Sequence, residues 1–260
     1  MIPIKDYAGP RRRIPLVTWG LIAANVAIFL YQVSLGPDAF SFIFAYSVVP
    51  VALTHGVPQT SLPGAPHHLL FHTPDPVYLT LITSMFLHAG WLHIGGNMLF
   101  LYIFGDNVED RMGHLPYLAF YLFCGVIASI TQLAADPGSS IPSLGASGAI
   151  AGVLAAYVVL FPLARVKTII FLFIFFTIVT LPAIILIGLW FALQLFDGVA
   201  SLSNVQQGMG GIAYLAHVGG FVTGLGITLL VRPRIKPPAT TSYPYLPRYT
   251  SPTGRSRWWQ

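Results

Sequence analysis

The chain has 260 residues, of which 55% are hydrophobic and 8% charged, and its mean hydropathy is +0.72. Soluble domains carry roughly 25% charged residues, so this composition excludes an ordinary soluble domain and places the chain among integral membrane proteins. The formal net charge is +5, and with a single cysteine, Cys124, no intrachain disulfide can form.

The first 13 residues form a basic N-terminus with Lys5, Arg11, Arg12 and Arg13. Ile14–Val33 is long enough to cross a bilayer. No small-residue cleavage site follows it, so it reads as a retained helix rather than a signal peptide. A long loop, residues 34–86, comes next. Its stretch "SFIFAYSVVPVAL" is apolar enough for the membrane interface, and residues 55–76 are rich in Pro, Gly and His. His55, His67, His68 and His72 have no ligand spacing, so a plain loop is expected and no metal. Further spans are placed at Leu87–Phe104, Leu115–Ala135, Ser147–Leu163, Pro182–Phe196 and Ile212–Val231. "TIIFLFIFFTIV", Thr168–Val179, is too short to span and reads as interfacial or as a buried approach to the next helix. From Arg232 to Gln260 the chain is basic and Pro-rich, and is expected to be disordered and drawn to anionic lipid, with Trp258 and Trp259 at the interface.

Charge sets the expected topology. Basic residues precede the first span and follow the second (Arg111), fourth (Arg165, Lys167) and sixth (Arg232, Arg234, Lys236, Arg248, Arg255, Arg257). The loops after the first, third and fifth spans have none. Basic loops stay in the cytoplasm, so both termini are expected inside and loops 34–86, 136–146 and 197–211 outside. A seventh span at Thr168–Val179 would reverse this and is rejected.

Polar groups within spans are costly and mark function. The second span has His88, His93 and Asn97, the fourth opens on Ser147, and the sixth has His217. His93 and Asn97 lie roughly 9 to 15 Å below the outer end of their helix, and His217 about 8 Å below the start of its own. With Ser147 they fit one layer above the midplane. His93 and Asn97 share a helix face. Gly148 and Gly152 beside Ser147, and Gly220 and Gly224 on the face of His217, form small-residue stripes that let membrane helices approach closely. Ser147 and His217 then come within reach of each other. The plainer alternative is that Ser147 caps its helix and the stripes only pack.

A serine beside a histidine is a nucleophile with its general base. His93, Asn97 and the Ser147 amide can donate to an oxyanion. Of the eight acids only Asp197 lies near the spans, so the reading is a Ser–His dyad with no carboxylate to orient the base, and slow turnover. Metal ligation by His88 and His93 is disfavoured, because i and i+5 point about 140° apart on a helix. There is no HExxH motif. A small transporter is a weaker rival, since no repeat or midplane ion site is visible.

"GASG" with Ser147, "HIGGN" with His93 and Asn97, "AHVGGFVTG" with His217, and "FGDNVEDRMGH" resemble the rhomboid intramembrane serine proteases of bacterial type, over roughly Leu79–Val231. The resemblance implies an all-α fold: a six-transmembrane-helix bundle at residues 14–231 with a long membrane-associated first outer loop, between the N-terminal segment 1–13 and the tail 232–260. It implies Ser147 as nucleophile, His217 as base, and His93, Asn97 and Ser147 at the oxyanion. Gly145 precedes the nucleophile in a GxSG pattern, and His88 supports the site. Glu109 and Arg111 fix the cytoplasmic end of the second helix. Trp190 and Phe191 belong to a substrate gate on the fifth helix.

The substrates implied are transmembrane proteins cut near the outer end of a helix, with small residues at the cut. The setting is a bacterial cytoplasmic membrane, with lipid as neighbour and no cofactor or nucleic acid. An inactive, client-binding relative is the alternative within the fold. Two departures stand out. Ala151 occupies the position where some members stack a tyrosine on the base, and the first outer loop lacks an arginine.

Overall fold

The computed structural model describes residues 1–58, 71–172, 175–203 and 213–232. It is mostly helical. A strand β1 (Ile2–Tyr7) precedes α1 (Leu16–Ser34), and the short helices α2 (Ala39–Tyr46) and α3 (Pro50–His55) follow. A bent pair comes next, α4 (Val77–Phe86) and α5 (Trp91–Met112), with 82° between them. Then come α6 (His114–Ala135), α7 (Ser147–Leu160), β2 (Arg165–Leu172), β3 (Phe175–Pro182), α8 (Ala183–Ser203) and α9 (Tyr214–Val231). Helices lie where the sequence places its six spans. By length and apolarity α1, α6 and α9 qualify to cross a membrane, and the bent pair makes a fourth. α7 and the Ala183–Val199 part of α8 are shorter apolar helices.

The centre of the bundle is α7. Its sequence is apolar and small on every side, which suits a helix enclosed by others, and every residue from Gly148 to Tyr157 is buried. α9 lies against it almost backbone to backbone. A β-carbon on Gly220 would collide with the Gly148 carbonyl, and one on Gly224 with Gly152. Glycine at both α9 positions permits that approach, and β-carbons on Gly148 and Gly152 would collide with Ala128 and Cys124 of α6.

The opposite end of the bundle from Ser147 is tied by carboxylates. Glu109, fully buried, accepts from the Val17 and Thr18 amides (2.9 and 2.8 Å), the Thr18 hydroxyl (2.6 Å) and His114 Nδ1 (2.5 Å). Its charge thus sits on the orphan N–H groups that open α1, where an anion is favoured. Asp110 accepts from the Arg12 and Arg13 amides. The Arg111 guanidinium lies 5.2 Å from the Phe161 ring centroid.

Three expectations need correction. The second helix begins at Trp91 and not Leu87, because the chain is extended at Leu87 and breaks before Gly90. His88 therefore precedes the helix. Its ring meets that of His93 at 5.0 Å, edge to face, so the two do not point apart. The stretch Thr168–Val179 is no plain approach to the next helix: its described residues lie on the antiparallel strands β2 and β3, and β1 pairs antiparallel on the other side of β2.

The first long loop has its own small core of Phe44, Val48, Val49, Ala52, Leu53 and Val77. Val48 and Ser143 exchange backbone hydrogen bonds (3.0 and 2.7 Å), and the Val51 amide donates to Ser139 (3.0 Å). The loop thereby clamps the segment that enters α7. His55 Nδ1 bonds the Val51 carbonyl of its own helix at 2.8 Å. His67, His68, Trp258 and Trp259 lie outside the described residues. Among the described residues no group of three His, Cys, Asp or Glu is arranged to hold a metal.

Candidate active site

Ser147 is the first residue of α7, and the residue before it, Ala146, holds the cap position with no side-chain cap bond. The serine hydroxyl is therefore not used to cap the helix. It lies instead 2.7 Å from His217 Nε2. The Gly148/Gly152 and Gly220/Gly224 contact brings α7 and α9 close enough for this. His217 is 8% exposed, one turn into α9, so its ring is shielded, while Ser147 is partly exposed.

The other ring nitrogen of His217 is held as well. Nδ1 lies 2.5 Å from Gln194 Oε1 on α8. An amide oxygen only accepts, so Nδ1 carries the proton and Nε2 is left as the acceptor for the serine hydroxyl. The Trp190 ring lies 5.8 Å from the imidazole, tilted by 39°. Orientation of the His217 imidazole, expected from position alone, is thus supplied by two residues of one helix. Gln194 is the residue that sequence reasoning missed. The available signal was that it is the one amide in the apolar run Ala183–Phe196 and sits one turn after Trp190. Ala151, fully buried, leaves that role to α8.

The oxyanion candidates surround Gly145. This glycine has φ +124°, and a β-carbon there would come within 2.9 Å of His93 Nε2 and 3.7 Å of Ser147 Oγ. A side chain would both strain the backbone and fill the space between histidine and serine. The Gly145 amide is fixed by the Ser84 carbonyl at 2.9 Å. His93 Nδ1 accepts from the Ala89 amide at 3.4 Å, which leaves the proton on Nε2, toward Gly145. Asn97, one turn below His93 on α5, is 8% exposed, and its Nδ2 has no partner. A buried unpaired donor costs about 1–3 kcal/mol, a cost relieved by an acceptor oxygen. The Ser147 amide opens α7 and has no intrahelical acceptor.

His88 packs its ring on His93. Its backbone is clamped by Gln32 of α1: the His88 amide donates to Oε1 at 3.1 Å, and its carbonyl accepts from Nε2 at 2.9 Å. Of the two gate candidates, Trp190 lies on His217, and Phe191 stacks on Phe221 of α9 at 4.1 Å. Both therefore sit on the seam between α8 and α9. Beside the serine a cavity of about 20 Å³ is lined by Ser84, Ser129, Gly145, Ser147 and Ala216.

A rhomboid domain matches residues 76–234. The chain is similar to rhomboid-like protein 11, chloroplastic, of Arabidopsis thaliana, with 40% identity over 33% of this chain and 30% of that protein. It is 31% identical to rhomboid protein 1, mitochondrial, of Saccharomyces cerevisiae, over 56% of this chain and 40% of the other. It is 35% identical to the presenilin-associated rhomboid-like protein, mitochondrial, of Bos taurus, over 52% and 37%. The chain spans less than half the length of these curated relatives.

Proposed function

The chain belongs to the rhomboid family of integral membrane proteins, and we propose that it is an intramembrane serine endopeptidase acting through Ser147 and His217. The observation that carries this is the 2.7 Å contact between the serine hydroxyl and His217 Nε2 inside an apolar bundle. Packing alone gives no reason for a buried imidazole with both nitrogens engaged, one of them on a serine.

The chemistry follows from the atoms. His217 Nε2 takes the Ser147 proton as Oγ attacks the scissile carbonyl. The resulting oxyanion accepts from His93 Nε2–H, the Asn97 amide and the Ser147 backbone N–H. The imidazolium gives its proton to the leaving amine, and water then cleaves the acyl-enzyme by the same route. Gln194 holds the ring throughout by accepting from Nδ1–H.

The substrates are transmembrane segments cut near the end of the helix at the Ser147 side. The small cavity beside the serine suits small side chains at the cut. Lys5, Arg11, Arg12, Arg13, Arg111, Arg165, Lys167 and Arg232 all lie toward the other end of the helices. By the positive-inside rule that end is cytoplasmic and Ser147 opens outward.

The test is covalent labelling by a fluorophosphonate in detergent. Labelling of the wild type, lost in Ser147→Ala and in His217→Ala while both stay folded, supports the protease. A wild type that does not label overturns it.

A further inference from the structure

At the end of the bundle away from Ser147, between the three-stranded sheet and α5, lies a cavity of about 840 Å³. Its wall carries four cations, Lys5, Arg11, Arg165 and Lys167, and two carboxylates, Asp6 and Asp106. Both carboxylates are already engaged. Asp106 pairs with Arg11 at 2.5 Å. Asp6 accepts from the Tyr157 hydroxyl at 2.6 Å and from Asn107 at 3.0 Å, and burial pushes its carboxyl above the usual range. Among the described residues the salt bridges are Arg11–Asp106 and His114–Glu109. Lys5, Arg165 and Lys167 belong to neither.

The sheet register makes this an unusual arrangement. Lys5 on β1 is directly opposite Lys167 on β2, and Arg165 is two residues from Lys167 on the same face. Like charges directly opposite one another destabilise a strand pair. Four cations face two carboxylates on this wall, and Lys5, Arg165 and Lys167 form no ion pair with either, an excess of positive charge that suits an anion. The α5 wall carries Asp106 and Asn107, with Tyr102 and Ile103 beside them. Tyr102 is 61% exposed on the flank of the membrane helix. The same sheet continues into Phe171, Phe175 and Phe176, all more than half exposed, a surface suited to lipid and not to water.

We propose that this cavity binds the phosphate-bearing headgroup of an anionic phospholipid, with Lys5, Arg165 and Lys167 as its ligands and the acyl chains beside Tyr102. Ammonium and guanidinium groups donate charge-assisted hydrogen bonds to phosphate oxygens, and basic pockets at membrane-helix ends are suited to anionic headgroups. The apolar flank favours a lipid over a free phosphate. This site is independent of the chemistry proposed for Ser147.

The test is native mass spectrometry of the full chain in mild detergent, with phosphatidylglycerol or phosphatidylcholine added at equal concentration. Phosphatidylglycerol should be retained over phosphatidylcholine, and each cation removed should cost about fivefold in affinity. Lys5→Gln/Arg165→Gln/Lys167→Gln should bring the two lipids level. Arg165→Lys/Lys167→Arg, which keeps the charge, should retain the preference, and circular dichroism of each variant checks that it folds. A tail variant, Arg234→Gln/Lys236→Gln/Arg248→Gln, should also retain it. Equal retention of both lipids by the wild type overturns the proposal, as does a preference that follows the tail and not the cavity. Displacement of the lipid by an equal concentration of inorganic phosphate overturns the lipid assignment.

Discussion

The amide oxygen of Gln194 sits 2.5 Å from Nδ1 of His217, so the imidazole is held by a helix that carries neither Ser147 nor His217. Ser147 is on α7, His217 on α9 and Gln194 on α8, and Trp190 of α8 lies on the same imidazole. Any outward movement of α8 withdraws both groups from the imidazole, so on the proposed reading a substrate that enters past α8 loosens the hold on the base.

Gln194→Ala leaves Nδ1 without an acceptor and frees the imidazole to take the wrong tautomer. Turnover should fall by about 10- to 100-fold, a part of what general-base catalysis contributes, with KM unchanged. Gln194→Glu keeps an acceptor and should restore most of the rate. The added carboxylate favours the imidazolium, so the histidine needs a higher pH to become a free base, and the acid limb of the pH–rate profile moves up. A profile identical in wild type and Gln194→Glu would separate Gln194 from the base.

Asn97→Ala tests the opposite balance. The mutation removes one oxyanion donor and should lower kcat by about 10²–10³. It also removes a buried Nδ2 with no partner, so thermal stability should hold or rise slightly. A variant that loses both rate and stability would make Asn97 a structural residue.

Gly220→Ala places a methyl against the Gly148 carbonyl. Overpacking of this kind costs about 1–3 kcal/mol, and the two helices must part, which lengthens the Ser147–His217 contact. Both Tm and turnover should fall. Gly226→Ala is the control on the same helix, since a β-carbon there meets nothing within 4 Å. It should keep wild-type turnover and hold or slightly raise Tm, since alanine is the better helix former. An equal loss in both variants would show that the close contact at Gly220 is not what sets the Ser147–His217 distance.

How much of this was legible in the sequence depended on what each feature requires. The α7–α9 contact needs only small residues at helical spacing, and Gly148, Gly152, Gly220 and Gly224 declare it. Gln194 is hard to read from the sequence because the usual partner of such a histidine is a carboxylate, and an amide serves the same geometry. His88 was misplaced because its position depends on a break between Leu87 and Gly90 that helical periodicity does not carry. The strand pair β2 and β3 was missed for a related reason. A short apolar run does not distinguish strand from buried helix by period, and the β-branched and aromatic content of "TIIFLFIFFTIV" was the remaining signal.

Glu109 gives the last prediction, at the other end of the molecule. Its buried carboxylate accepts from the Val17 and Thr18 amides, the Thr18 hydroxyl and His114. Glu109→Ala strands the two amides at the start of α1, and each buried orphan costs about 1–3 kcal/mol. The expected loss is about 3 kcal/mol, seen as a lower midpoint in detergent unfolding. Glu109→Gln keeps one acceptor oxygen but turns an N–H₂ toward these donors and gives up the anion at the helix start, worth about 0.3–1 kcal/mol. It should fall between wild type and Glu109→Ala. Neither variant touches the Ser147 end, so fluorophosphonate labelling per folded molecule should be unchanged. Wild-type stability in Glu109→Ala would remove the carboxylate as the anchor of α1. Reduced labelling at full folding would show that the two ends of the bundle are coupled.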